Sequence, residues 1–402
     1  MQSSKLWTKD FVLFIGSNFF VGLAFYTLMT TVTLYTIQQF SASQSQGGLA
    51  SSIFIIGALL ARLVAGKLVE KVGRKKMMYS SLLLFFLAML LYFFVDNLAL
   101  LFVVRFIHGV GFGFANTAMT TTVMDAIPTS RRGEGTGYYS LSTTASTAIG
   151  PFVGIYLMNH ADFTSILYCC TFCAAAAMGF ALLAKVKEAD LTPEERKNIK
   201  LGFNVSDFFE KKAIPIAVIT VFMGIAYSSI MSFISVYAEG EGVFEYVSLF
   251  FVIFASAMIL VRPFTGRLYD RRGPNYVIYP SFIFFAIGLF VLSSMHSVTM
   301  LLIAGALIGM GYGSIVPCFQ TLAIQSAEKH RSSHATSTFF TLFDSGMAAG
   351  AFVLGIISSY LGYSMLYIIC GIIVVITIPV YKQLASRKRK NERIVDSQRE
   401  GA

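Results

Sequence analysis

The sequence predicts an all-α membrane protein in which twelve transmembrane helices form two pseudo-symmetric six-helix halves. Three observations support this fold class: the apolar composition, the length of the apolar segments and an internal repeat. Of the 402 residues, 55% are hydrophobic and only 13% are charged, whereas a soluble domain carries about 25% charged residues. A soluble core this apolar would lack the polar surface to cover it, so lipid must be part of the solvent.

The apolar segments have the length that a bilayer requires. A hydrocarbon core about 30 Å thick is crossed by about 20 apolar residues in a helix. The first segment is too long for the apolar part of a signal peptide, so we expect it to remain as the first helix. The predicted spans are 11–38, 47–66, 76–95, 98–126, 136–158, 163–184, 213–237, 244–266, 275–295, 299–326, 336–358 and 363–382.

The basic residues predict the orientation of these spans. Of the 31 Lys and Arg residues, three (Arg62, Arg105 and Arg262) lie within spans, and the other 28 lie in the termini and the even-numbered connectors. Basic residues accumulate on the cytoplasmic side, so both termini are expected there, in the plasma membrane of a bacterium. The basic tail lacks interleaved aromatic residues, which favours contact with anionic lipids over nucleic acid.

The connector between spans 6 and 7 is longer than the others and predicts the division of the chain. It contains "TPEERK", in which Thr192 can cap a helix, Pro193 suits its first position and Glu195 completes a capping box. We therefore expect a short amphipathic surface helix here. The predicted units are an N-terminal half at 1–185, the connector at 186–212, a C-terminal half at 213–385 and a basic cytoplasmic tail at 386–402.

The two halves repeat. A shift of about 200 positions places "ARLVAGKLVEKVGRKK" over "VRPFTGRLYDRRGPNY", so that Glu70 meets Asp270. The same shift places a second glycine run over the first, and "GAFVLG" over "GPFVG". Two equal membrane halves suggest alternating access around a site between them.

Three motifs carry a resemblance to a known family. The connector after span 2 holds Gly66, Glu70, Gly73 and Arg74; span 4 holds Arg105, His108 and Gly109; span 5 holds Gly137, Gly150, Pro151 and Gly154. Together with the repeat, these motifs resemble the major facilitator superfamily and, within it, the twelve-helix drug:proton antiporter branch.

The resemblance implies roles for these residues. It implies that Glu70 faces the start of helix 11 and that Arg74 pairs with Asp125, as a latch that closes the inner face; Asp270 occupies the matching position in the second half. It associates Arg105 with proton coupling. His108 replaces the usual glutamine and is either a proton carrier or a hydrogen-bonding substitute. The span 5 motif implies close packing of helices 5 and 8.

An acidic residue within a span marks a further expected site. Asp344 lies about nine residues into span 11, or about 13 Å along it, near the membrane midplane. Intramembrane carboxylates are usually functional, so Asp344 is expected to carry the proton or bind a cation. Arg62 and Arg262 are expected to extend to the inner surface. Polar and aromatic groups expected to line a cavity are Asn18, Tyr26, Asn116, Tyr227, Phe233 and Gln320.

Transport is the function that these features favour. The sequence predicts a monomeric, proton-coupled exporter of hydrophobic or cationic small molecules that acts by alternating access. A dedicated exporter of one metabolite, such as a sugar or amino-acid derivative, and a non-antiport facilitator remain alternatives. Within the apolar spans there is no pattern typical of an intramembrane enzyme. "CCTFC" has no nearby histidine or acid to support a metal site, so no metal or other cofactor is expected.

Overall fold

The computed structural model describes the backbone of residues 5–128, 131–188, 209–327 and 332–400, and side chains there except at 125, 132–134, 332, 333 and 385–400. Long α-helices dominate the described part. They are α1 Lys9–Phe40, α2 Gln44–Val72, α3 Arg74–Leu91, α4 Leu98–Ala126, α5 Arg132–His160, α6 Phe163–Leu183, α7 Ile214–Gly240, α8 Val247–Arg272, α9 Asn275–Ser293, α10 Val298–Ser326 and α11 Ser332–Glu400. The predicted connector helix at Thr192 and Pro193 lies outside the described residues.

The prediction of an all-helical membrane protein is confirmed. Within the described ranges, eleven helices are long and apolar enough to cross a membrane. The last two predicted spans lie together in α11, which is interrupted at Gly362. Gly362 has φ 78° and ψ 171°, a conformation that favours glycine. We refer to residues 332–361 as α11a and to residues 363–400 as α11b.

Polar side chains begin several of the helices. Ser43 forms a capping box with Gln46 at the start of α2, and Asn97 caps α4. The carboxylate of Asp162 accepts hydrogen bonds from the backbone N–H and the hydroxyl of Ser165 at the start of α6, at 2.9 and 2.8 Å. These bonds hold the pKa of Asp162 below its usual range because they stabilise the ionised carboxylate.

The helices form two hydrophobic cores. One consists of residues from the first 186 positions. The other consists of residues from 213 onwards, together with Met29, Phe54, Ile55 and Ile155 of the earlier part of the chain. These four residues therefore lie where the first group of helices packs against the second.

The sequence repeat is present in the packing. A methyl group on Gly109 would overlap the carbonyl oxygen of Phe54, and one on Gly309 would overlap that of Phe254. Gly73 and Gly273, which end α2 and α8, both have positive φ, at 101° and 87°. Residues 200 positions apart thus make equivalent backbone contacts and turns.

Several hydrogen bonds join the two groups of helices. Ser52 Oγ donates to the carbonyl of Ala348 at 2.7 Å, and Ser235 Oγ donates to the carbonyl of Thr30 at 3.0 Å. Gln38 donates to the carboxylate of Glu239 at 2.6 Å. These contacts lie towards the α1–α2 and α7–α8 connectors, so the two groups are packed together on that side.

Candidate functional site

An ion pair between Arg62 and Asp344 joins the two groups of helices. The guanidinium of Arg62 in α2 donates to Oδ2 of Asp344 in α11a. Arg62 is ten residues from the end of α2 at Val72, and Asp344 is twelve residues from the start of α11a at Ser332. At 1.5 Å per residue these distances along the helices are about 15 and 18 Å, so both residues lie well inside helices long enough to cross a bilayer core about 30 Å thick.

The pair corrects the expectation that Arg62 extends to the inner surface. The Arg62 and Asp344 side chains are only 13% and 16% exposed. A carboxylate within reach satisfies the buried guanidinium directly, and an isolated charge at this depth would cost several kcal/mol. Helix α11a also begins four residues earlier than predicted, at Ser332.

Three tyrosines lie close to this ion pair. The rings of Tyr227 in α7 and Tyr312 in α10 stack with centroids 4.0 Å apart and an interplanar angle of 9°. Tyr26 in α1 and Tyr312 both interact electrostatically with Asp344. The Tyr227 hydroxyl is buried; it interacts with the hydroxyl of Tyr312 but makes no hydrogen bond of standard geometry among the described residues. We call Tyr26, Arg62, Tyr227, Tyr312 and Asp344 the central cluster.

A second buried charge lies in α4. Arg105 is 1% exposed, and its Nε donates to the carbonyl of Ala50 at 2.8 Å. Its guanidinium carbon lies 4.6 Å from the centre of the Phe54 ring, a cation–π contact. The hydroxyl of Tyr92 bridges Arg105, at 3.5 Å, and His108 Nδ1, at 3.3 Å. Among the described residues, the groups that stabilise the charge of Arg105 are therefore neutral.

Aromatic rings connect the two charged regions. Phe54, which covers Arg105, has its ring centre 5.3 Å from that of Phe25. The ring of Phe25 lies 4.8 Å from that of Tyr26 in the central cluster. A change at Arg105 can therefore reach the central cluster through side chains in direct contact.

Comparison with known proteins decides the family. The model of the Major Facilitator Superfamily matches residues 14–351 and 247–400. The chain belongs to this superfamily. It is therefore a multi-pass membrane protein and a secondary transporter, in a family of transporters rather than enzymes.

Known relatives resemble most of this transporter. It is 25% identical over 340 residues to the staphylopine export protein of Staphylococcus aureus, covering 82% of this chain and 84% of that one. It is 22% identical to the multidrug resistance protein MdtG of Escherichia fergusonii, covering 97% of both chains. Among solved structures, a POT family transporter has a TM-score of 0.77 at 14% identity and covers 94% of this chain and 96% of its own.

The remaining predicted cavity residues are not all in one place. Asn18 is buried in the α1–α5 contact, where its amide donates to Ser142 and Thr143 and its oxygen accepts from Tyr139. Phe233 is buried against Gly48, on the side where the two groups of helices pack together. Asn116 and Gln320 are half-buried. Of the six predicted residues, the structure brings Tyr26 and Tyr227 into the central cluster.

Sequence reasoning missed Tyr312 and Tyr92. Tyr312 lies in the second glycine run, at the position that Phe112 occupies in the first. Tyr312 carries a hydroxyl that Phe112 lacks, and this difference between two repeated positions could have identified Tyr312 from the sequence. Tyr92 lies in a single 3-10 turn at the end of α3, and its partners are 13 and 16 residues away. The sequence held no comparable signal for it.

The predicted latch residues surround the turn between α2 and α3. Arg74 lies 3.8 Å from Glu70, whose side chain is 42% exposed. The carboxylate of Glu188 accepts hydrogen bonds from the backbone N–H groups of Arg74, at 2.9 Å, and Lys75, at 3.1 Å. The side chains of Asp125 and of the first two residues of α11a lie outside the described set. Asp270 is exposed.

The span 5 glycines pack on a different helix from the one expected. Methyl groups at Gly150 and Gly154 would meet Tyr26 and Thr27 of α1 rather than α8. The opposite face of α5 contacts α8, where Ile149 and Ile259 are among the residues that line a gap of about 200 Å³. The spacing predicted small residues at a helix contact, but the packing decides which helix they meet. Gly66 and Gly137 have open space around them, and Pro151 lies within α5.

Proposed function

We propose that this transporter exports hydrophobic or cationic small molecules in exchange for protons, by alternating access. The observation that carries the proposal is the Arg62–Asp344 pair, a titratable carboxylate near the membrane midplane between two groups of helices. Two relatives with export or multidrug resistance in their names support the direction of transport. Binding sites at the midplane between repeated halves are general in secondary transporters, and the superfamily is itself an example of that principle.

The proposal includes a specific architecture. The segments α11a and α11b each cross the membrane, which gives twelve crossings in two six-helix halves, 1–185 and 213–385. The connector 186–212 and the tail 386–402 lie in the cytoplasm with both termini, and the basic tail contacts anionic lipids. A monomer contains the whole pathway. The equivalent glycine contacts in both halves support this arrangement.

Asp344 carries the proton in this scheme. While Arg62 is paired with it, the guanidinium stabilises the ionised carboxylate, so the proton leaves. When the halves separate and Arg62 withdraws, the carboxylate takes up a proton because an isolated buried charge is unfavourable. Motion of the halves is thereby linked to proton uptake on one side and release on the other.

Other predicted residues support the cycle indirectly. Arg105 and His108 adjust the packing of α2 against α4 through Ala50, Phe54 and Tyr92. Since Arg105 already provides a positive charge beside it, His108 acts as a neutral hydrogen-bonding group. Glu70, Arg74, Asp125 and Asp270 form the latch of the inner face, and the glycines of α5 with Pro151 shape its contacts.

Transport by reconstituted protein tests the proposal. In vesicles with an acidic lumen, protons leaving through the wild-type protein should drive accumulation of ethidium. Asp344→Asn should abolish accumulation against a gradient but retain exchange of labelled for unlabelled dye. Asp162→Asn, an exposed carboxylate in a connector, is the control and should transport normally. Accumulation by Asp344→Asn, with loss in His108→Gln, would move the coupling site to α4.

A further inference from the structure

The central cluster contains one buried cation and one buried anion in direct contact. Arg62 comes from the first group of helices and Asp344 from the second. A ligand that binds between the two groups must separate these two charges or leave them in place. The charge of the ligand therefore decides what remains unpaired after binding.

Most ligand types would leave a buried charge without a partner. A cation bound to Asp344 releases Arg62, which stays charged, and an anion bound to Arg62 releases Asp344, which then stays charged or must take up a proton. An uncompensated charge at such depth costs several kcal/mol, which would reduce the affinity. A molecule with both a cationic and an anionic group replaces each partner with an equivalent one, so it pays no such penalty.

The tyrosines provide a surface for the rest of the ligand. The rings of Tyr227 and Tyr312 stack on each other and are buried in this conformation, so they would meet the aromatic body of a ligand once the two groups of helices separate, and aromatic side chains bind other aromatic groups well. The Tyr227 hydroxyl is in a side chain only 1% exposed; it interacts with the hydroxyl of Tyr312 but makes no hydrogen bond of standard geometry among the described residues. A buried hydroxyl of this kind is costly unless a ligand or water completes its hydrogen bonds.

The repeat indicates that the acid is not needed to build the fold. The position equivalent to Asp344 in the first half is Thr144, while the arginine is kept at both equivalent positions, Arg62 and Arg262. In the part of the chain that the structure describes, Arg262 forms no ion pair, and its Nε has no partner. Among the described residues, the pairing of this repeated arginine with a carboxylate therefore occurs at Arg62 and not at Arg262.

We propose that the central cluster binds zwitterionic molecules with an aromatic body, whose anionic group pairs with Arg62 and whose cationic group pairs with Asp344. This inference rests on the proposed function in that it names the ligand class of the same site. It adds that, among the cationic substrates of that proposal, those that also carry a negative group bind more tightly than simple cations such as ethidium.

A matched ligand series tests the proposal in lipid nanodiscs. The probes are para-aminomethylbenzoate, which is zwitterionic, its methyl ester, which is cationic, and its N-acetyl derivative, which is anionic. Calorimetry should show that the wild-type protein binds the zwitterion about tenfold more tightly than either derivative, as expected for one charged hydrogen bond. Equal binding of all three, or binding of none, would overturn the proposal.

Variants assign each charge of the ligand to its partner. Arg62→Gln should lose the preference for the zwitterion and bind the cationic ester at least as well. Asp344→Asn should likewise bind the anionic derivative at least as well. Arg262→Gln, the equivalent change in the other half, should leave the wild-type preference intact. A preference that survives in both Arg62→Gln and Asp344→Asn would place the binding site elsewhere.

The outcome is separable from that of the transport experiment. Accumulation of ethidium without any preference for the zwitterion would retain proton-coupled export and reject this ligand class. A preference for the zwitterion without proton-driven accumulation would retain the ligand class and reject the coupling. Thermal unfolding of each purified variant establishes that the binding data come from folded protein.

Discussion

Arg62 in α2 and Asp344 in α11a are 282 residues apart in the sequence and form an ion pair near the middle of the membrane. Each residue comes from one of the two groups of helices that the hydrophobic cores define. The pair is therefore a polar connection between surfaces that alternating access requires to move. The contribution of the ion pair to the stability of the protein and its role in transport can be tested separately.

Removal of either charge should destabilise the protein. Arg62→Gln or Asp344→Asn leaves one buried charge unpaired, and we expect each to lower the free energy of unfolding by about 2 kcal/mol or more. The double variant should lose about 1–3 kcal/mol less free energy of unfolding than the sum of the two single losses, since neither buried charge then remains. Thermal unfolding in detergent measures this cycle. Strictly additive losses would show that the two side chains do not interact.

His108 should tolerate replacement by glutamine. His108→Gln keeps a hydrogen-bonding group beside Tyr92, so we expect nearly wild-type transport with an unchanged pH profile. Tyr92→Phe removes the hydroxyl that bridges Arg105 and His108 and should cost about 1 kcal/mol of stability. Transport measured across a range of pH distinguishes the two roles of His108. A displaced pH profile in His108→Gln would identify the histidine as a proton carrier.

Alanine should be harmful at the glycines that contact backbone in both halves. Gly109→Ala and Gly309→Ala place a methyl group on the carbonyl oxygens of Phe54 and Phe254. Such overpacking costs about 1–3 kcal/mol or more, and both variants should express poorly. Gly137→Ala has open space and is the matched control. Fluorescence-detected size-exclusion chromatography of the three tagged variants measures how much folded protein each one yields. Equal profiles for all three would contradict the close contacts at Gly109 and Gly309.

Glu188 should control the turn between α2 and α3. Glu188→Ala removes the acceptor of the Arg74 and Lys75 N–H groups, and loss of such a cap costs about 1 kcal/mol. We expect slower turnover with unchanged ligand affinity, because the turn belongs to the proposed latch. Asp162→Ala removes a comparable cap from α6, away from the proposed latch. If both variants slow turnover equally, the effect is one of general stability.

The orientation of the chain can be tested with single cysteines. On a background without the five native cysteines, cysteine at Asp96 should react with an impermeant reagent applied outside intact cells. Cysteine at Lys187 should react only after the membrane is permeabilised. Both positions are exposed at the surface, so access depends on the side of the membrane. The reverse pattern would invert the proposed topology.

The sequence by itself determined the helices and their repetition. The length of the apolar segments, the turn at Gly73 and the glycine runs depend on local geometry or on residues that recur 200 positions apart. These signals are readable without coordinates, because a helix must satisfy its own backbone hydrogen bonds in lipid and a positive φ favours glycine. Each predicted span accordingly overlaps one of the observed long helices, and the last two predicted spans fall together in α11.

Only the tertiary structure decided which side chains meet. The sequence showed an acid in span 11 and an arginine in span 2, but Arg62 was expected to extend to the inner surface, and its partner is 282 positions away. Gly150 and Gly154 were expected on α8 and pack on α1. The rotation of each helix about its axis and its neighbours depend on the simultaneous packing of many side chains. That packing brings Tyr312 beside Tyr227 and places Asp344 against Arg62.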